Sequence, residues 1–106
     1  MKRGEVYLID FEPSIGGEIR KTRPAVIISN NQSNKYLNRI QVVPITSQIT
    51  RLYPSEAYVT ISGKQGKAMA DQIMTISKQR IKKLLGKVSA QEIKDVERAI
   101  KVQLEI

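Results

Sequence analysis

The apolar positions of the first three quarters of the chain fall in short runs separated by turn-forming residues, the pattern of strands rather than of helices. Glu5-Val6-Tyr7-Leu8-Ile9-Asp10 stops at Glu12-Pro13-Ser14, with Gly16-Gly17 close behind. It predicts a first strand and a flexible loop. Pro24 to Ser29 is nearly all apolar, which predicts a second strand buried on both faces with proline tolerated at its first position. Asn30 to Asn34 is polar and turn-rich, and separates that strand from a third, Arg39 to Ile45, whose Pro44 predicts an edge or a bulge near its end. Ser47 to Ser55 has no clear period and predicts a mobile loop. Glu56 to Ile61 predicts a fourth strand, Gly63 to Gly66 a hairpin turn, and Lys67 to Ala70 with Gln72 to Ile76 one or two further strands around Asp71. Regular short strands of this kind favour a small barrel or twisted antiparallel sheet over a helical bundle.

Near the C-terminus the period changes. Ser89-Ala90-Gln91-Glu92 carries a capping-box pattern, which predicts a helix starting there. Ile93, Val96, Ile100 and Leu104 recur at spacings of three and four, one apolar stripe that must pack on the sheet or on another subunit. Glu97 and Lys101 are spaced as an exposed i,i+4 pair. Lys78 to Leu85 predicts a short helix stopped by Gly86. The mainly β pattern with a terminal helix, over 106 residues, makes residues 1–106 one expected domain.

Composition narrows the chemistry. No apolar run approaches the roughly 20 residues that span a bilayer, and Gly4, Glu5 and Asp10 interrupt any signal-like segment after Met1-Lys2-Arg3. A cytoplasmic protein without a membrane partner is expected. The chain has no cysteine and no histidine, so thiolate zinc sites, cysteine nucleophiles and imidazole acid/base chemistry are excluded together. Between Ile19 and Val88 lie 13 Lys or Arg against two acids, a local charge of +11, whereas the remaining residues sum to −3. A positive field of that kind selects polyanions.

Three candidates stand out within that field. Thr22-Arg23-Pro24 delivers a guanidinium to the mouth of a buried strand, Glu18 lies a few residues upstream, and Thr46 follows the third strand. Singly, each also suits a plain structural role. Taken in order, Arg3-Gly4-Glu5-Val6-Tyr7-Leu8, Glu18, Thr22-Arg23-Pro24-Ala25-Val26-Ile27-Ile28, Val43-Pro44-Ile45-Thr46-Ser47 and Asp71-Gln72-Ile73 resemble, in sequence and spacing, the MazF/PemK (Kid-like) family of toxin endoribonucleases. The resemblance runs through the basic Ser77-Lys78-Gln79-Arg80 segment to the C-terminal helix.

That resemblance implies an SH3-like small β-barrel with a terminal helix, the CcdB/MazF/Kid-like architecture, paired as a homodimer. It implies sequence-specific cleavage of single-stranded RNA without a ribosome, by the toxin of a type II toxin–antitoxin pair. The partner is then an acidic antitoxin whose extended segment lies over the RNA groove. Arg23 matches the family's catalytic arginine, Thr46 its catalytic threonine and Glu18 an acidic loop residue near the active site. The Ser47 to Ser55 loop matches a mobile substrate-covering loop, and Asp71 an acidic position used in some members. Some members carry histidine where this chain has Gly17 and arginine where it has Met69, departures that bear on any acid/base role for Asp71.

The residue inventory permits one reaction without a metal or another cofactor: attack of the RNA 2′-hydroxyl on the adjacent phosphorus. Arg23 can stabilise the phosphoryl oxygens with a planar, permanently charged fork. Thr46, helped by Ser47, can fix the scissile group, and either Glu18 or water can take the 2′-hydroxyl proton. Arg51 and Tyr53 are the candidates for phosphate contact and base stacking, with Asp71 placed beside them in the RNA-contacting set. Lys64, Lys67 and Arg80, with Lys82 and Lys83, supply sequence-blind attraction or simply a solvated face. Two other readings compete: a CcdB-like gyrase-poisoning toxin, and a non-catalytic RNA-binding barrel. The first would put its key residues in the terminal helix, which ends Gln103-Leu104-Glu105-Ile106 without an aromatic anchor.

Overall fold

A computed structural model describes residues 1–13, 15–18 and 21–106; Ser14, Ile19 and Arg20, part of the loop expected after the first strand, lie outside the described residues. Among the described residues, the strands are β1 (Glu5–Asp10), β2 (Thr22–Ile27), β3 (Arg39–Thr46), β4 (Glu56–Ile61), β5 (Lys64–Met69), β6 (Met74–Ser77) and β7 (Ile81–Lys87). Two α-helices accompany them, α1 (Asn31–Tyr36) and α2 (Ala90–Leu104). The strands pair antiparallel in the order β4-β5-β3-β2-β1-β7, and β6 pairs with β3 as well. The sheet curls into a half-barrel. Ser62 Oγ, in the β4–β5 turn, donates to Leu85 O of β7 at 3.2 Å, so the two outer ends of the sheet approach each other.

Both faces of the central strands are covered. Val26 belongs to one buried cluster with Val6, Val43, Val59 and the helix residues Val96 and Ala99. Its neighbours Ala25 and Ile27 belong to a second, with Ile9, Ile40, Val42 and Ile76. Successive side chains on a strand point to opposite faces, so the unbroken apolar run of β2 is what a two-sided core requires. Helix α2 closes one face as its sequence predicts. Ser89 Oγ accepts from the Glu92 amide at 3.1 Å and Glu92 Oε1 accepts from the Ser89 amide at 2.9 Å, the reciprocal capping box. Ile93 and Ile100 pack against the first cluster, whereas Leu104 at the end of the stripe is half exposed.

Pro44 is neither on an edge strand nor at a bulge, because β3 is central and Pro44 is fully buried. Instead, β3 pairs with β6 over Arg39 to Val42 and with β5 over Ile45 and Thr46. Pro44 sits in the gap between those partners, where a missing N–H costs no ladder bond. The 3-10 turn Ala70–Gln72 makes the corner between β5 and β6.

Other expectations need correction. The polar Asn30 to Asn34 stretch begins a helix, with the Asn30 side chain accepting from the Ser33 amide at 2.9 Å; asparagine and serine favour turns and caps alike, so their pattern is ambiguous. The hairpin turn is only Ser62-Gly63, both at positive φ (51° and 79°), and β5 starts at Lys64. Lys78 to Leu85 is not a helix. A 3-10 turn, Lys78–Arg80, leads into β7, which pairs with β1 through two register shifts. Those irregularities remove the alternation by which a strand is recognised. Glu97 pairs not with Lys101 but with Arg3, at 2.7 Å. No helix among the described residues is long and apolar enough to cross a membrane.

Candidate active site

The register of the central strands brings Arg23 to Thr46. Ala25 lies opposite Pro44, so two residues further along the same register Arg23 is level with Thr46. The Ile28 amide donates to Gln41 O at 3.0 Å. Counting in alternation from that bonded pair, the Arg23 and Thr46 rung falls at a non-hydrogen-bonded position, where facing side chains stand closest. Pro24 contributes by holding the preceding residue extended. Arg23 is half-buried, which limits water around its charge.

Arg23, Thr46, Ser47 and Lys64 line one cleft of about 380 Å³, over a floor that includes Ile45, Ile61 and Leu85. Thr46 Oγ1 accepts from the Gln48 amide at 3.2 Å, so the hydroxyl keeps its own proton to donate into the cleft. Gly66 lines the same cleft. A Cβ there would stand 2.7 Å from Ile45 Cγ2 and 3.0 Å from Thr46 O, so the residue is small because β5 approaches β3 closely behind the threonine. Two cations and the hydroxyls of Thr46 and Ser47 over an apolar floor suit a group that carries negative charge on several oxygens.

The structure does not bring every sequence candidate to that place. Glu18 and Asp71 line a second cleft, of about 310 Å³, with Phe11, Pro13 and Met74. Glu18 Oε1 accepts from the Ile15 amide at 2.6 Å, within its own turn. Lys67, expected at the surface, is only 6% exposed. Its ammonium pairs with the buried Glu56 at 2.9 Å and donates to Arg51 O at 2.6 Å. Arg80 is likewise turned to the protein: its Nη1 donates to Asp10 O at 3.2 Å and to Glu12 O, holding the exit of β1. A solvated lysine and a paired one look the same in sequence, because the partner that buries the charge, Glu56, stands on the neighbouring strand of the hairpin rather than beside it in the chain.

The loop between β3 and β4 is anchored rather than loose. Tyr58 OH donates to Ile49 O at 3.1 Å, the Tyr53 amide donates to Glu56 Oε1 at 2.8 Å, and Arg98 Nη1 donates to Pro54 O at 3.2 Å. Arg51 and Tyr53 remain exposed and associate, with the guanidinium carbon 5.7 Å from the ring centroid. Glu56, Tyr58 and Arg98 gave no signal of this role in the sequence. Gly66, expected in a hairpin turn, lies instead within β5, where a strand glycine marks close backbone approach.

The family model described as PemK-like, MazF-like toxin of type II toxin-antitoxin system matches residues 2–104. The chain belongs to that family. This MazF/PemK-family toxin is 37% identical over 115 residues to Endoribonuclease MazF9 of Mycobacterium tuberculosis, covering 100% of this chain and 98% of the relative. It is 36% identical over 109 residues to Endoribonuclease MazF of Staphylococcus saprophyticus, covering 98% and 91%. A mycobacterial endoribonuclease solved in complex with its cognate antitoxin superposes with a TM-score of 0.84 at 25% identity, over 100% of this chain and 96% of that one. MazF of Deinococcus radiodurans shares the fold with a TM-score of 0.89 at 24% identity, covering 100% and 97%. The half-barrel with a C-terminal helix is thus the architecture of MazF toxins.

Proposed function

We propose that this toxin-family endoribonuclease cuts single-stranded RNA, including mRNA, sequence-specifically and without a ribosome, in the cleft that Arg23 and Thr46 share. The observation that carries the reading is their convergence: residues 23 positions apart in sequence, on two paired strands, line one cationic cleft. The 2′-hydroxyl oxygen attacks the adjacent phosphorus, the P–O5′ bond breaks, and the products are a 2′,3′-cyclic phosphate and a 5′-hydroxyl. Arg23 stabilises charge gathering on the phosphoryl oxygens, and the Thr46 hydroxyl donates to one of them, with Ser47 and Lys64 beside it. Water or Glu18 accepts the 2′-hydroxyl proton, and the lining of a separate cleft by Glu18 favours water. The leaving O5′ takes its proton from solvent or from Arg23.

Charge supports the partners. The +11 central region suits an acidic antitoxin as well as RNA, and the mycobacterial neighbour was solved with its antitoxin. Exposed Leu84, Val102, Leu104 and Ile106 support pairing of two copies; sedimentation showing only a 12.0 kDa species would overturn that. The cytoplasm, where mRNA is found, is the compartment this reading requires.

The test is cleavage of single-stranded RNA in EDTA, with product ends identified by mass spectrometry, beside Arg23→Ala and a substrate lacking the 2′-hydroxyl at the cut. Cyclic phosphate ends that vanish in both controls are expected. Intact RNA across varied sequences, or ends that persist in either control, would overturn the proposal.

A further inference from the structure

A buried ion pair stands on the same rung as the candidate chemistry. Thr46 lies opposite Lys67 on β5, and Lys67 lies opposite Tyr58 on β4. Arg23, Thr46 and Lys67 therefore follow one another across β2, β3 and β5 and share a face of the sheet. Lys67 and Glu56 are 6% and 7% exposed, and their charged atoms are 2.9 Å apart. A buried pair of this kind is no more stabilising than a well-packed apolar pair, because desolvation offsets the attraction. Stability alone gives no reason for it.

The remaining bonds of the pair supply one. Lys67 Nζ donates to Arg51 O at 2.6 Å, and Glu56 Oε1 accepts from the Tyr53 amide at 2.8 Å. The Glu56 amide in turn donates to Tyr53 O at 2.9 Å. The ammonium also lies 5.6 Å from the centroid of the Tyr53 ring, whose own surface stays 51% exposed. Each charge thus grips the loop at Arg51 or Tyr53, the two exposed side chains best suited to hold an unpaired nucleotide.

We propose that Glu56 and Lys67 are positioning residues that hold Tyr53 as a stacking platform for an unpaired base flanking the cut, and so set the affinity and site preference of cleavage. This rests on the RNA-cleaving reading above. Lys67 then acts through Tyr53 and makes no phosphate contact of its own. The ring presents a fixed face at low entropic cost because backbone bonds, rather than a free loop, define its place.

The test compares wild type with Glu56→Leu/Lys67→Met, which removes both charges and the acceptor of the Tyr53 amide together, with Tyr53→Ala, and with the triple variant. In folded double variant, KM for RNA is expected to rise about 5- to 150-fold, the range for losing one base stack, with a much smaller fall in kcat and a relaxed site preference. The triple variant should be no worse than Tyr53→Ala, and the dependence of log affinity on log salt should keep its wild-type slope. Unchanged KM and preference, or losses that multiply in the triple variant, would overturn the proposal. So would a slope reduced by about 0.7, the mark of one lost single-strand phosphate contact. Should the double variant not fold, amide exchange in the wild-type protein decides: Tyr53 N–H must exchange more slowly than the exposed loop amides around it. Absence of cyclic phosphate ends with wild type would instead sink the RNA-cleaving reading itself.

Discussion

Two clefts of similar size, about 380 and 310 Å³, open on one half-barrel and are made in different ways. The first has Arg23 and Thr46 on paired strands whose register leaves little freedom in their separation. The second has Glu18 on the β1–β2 loop and Asp71 on a 3-10 turn. Their charges are opposite as well: the first carries Arg23 and Lys64, the second two carboxylates. Stabilising a transition state needs donors that are already in place when charge develops, and paired strands hold such donors better than a loop does. The same carboxylates would repel a phosphate. The comparison therefore favours the strands over the acidic cleft as the place of the proposed chemistry.

The rung itself offers the largest test. Lys67→Met alone strands the buried Glu56 carboxylate and should destabilise the fold by about 3–5 kcal/mol. Denaturant melts check this, and the paired Glu56→Gln/Lys67→Met change should recover most of the loss. Next, Arg23→Ala should lower kcat by about 100- to 1,000-fold with little change in melting temperature, since Arg23 is not part of the buried core. Arg23→Lys should restore little of it, because an ammonium lacks the planar fork.

Gly66→Ala is smaller but more pointed. Its Cβ would press on Ile45 Cγ2 at 2.7 Å and on Thr46 O at 3.0 Å, so a stability loss of about 1–3 kcal/mol is expected, as for other overpacked sites. A fall in kcat should accompany it, read in the same single-turnover assay, because the threonine is displaced. At the other cleft, Glu18→Gln should change kcat by less than about tenfold, under 1.4 kcal/mol. A loss from Glu18→Gln as deep as that from Arg23→Ala would erase the distinction between the two clefts.

Much of this organisation is legible along the chain. β1, β3, β4 and the start of α2 are announced by local features: apolar runs bounded by glycine, proline and asparagine, and a Ser-x-x-Glu cap. Arg23 and Thr46 border such runs, but singly each suits a structural role, and only the order and spacing of several motifs made them candidates. Helix α1 is not legible, since the asparagines and serines that cap a helix also make turns. Strand β7 is not either, because two register shifts break its alternation into Ile81-Lys82-Lys83-Leu84-Leu85, which serves a helix as well.

Local chemistry along the sequence thus determined which segments extend, where the last helix begins, and that neither histidine nor cysteine is present to carry the chemistry. Tertiary structure alone decided which charges became solvated and which became structural. Lys64 and Lys67 are three residues apart in one strand, yet the first lines an open cleft and the second is buried against Glu56. That difference depends on the register of the β4–β5 hairpin and on the packing of β3 and the β3–β4 loop over it, which residue type alone does not set. The separation of Glu18 from Arg23 has the same origin: five residues of sequence allow a reach of up to about 18 Å, enough for the loop and the strand to line different clefts.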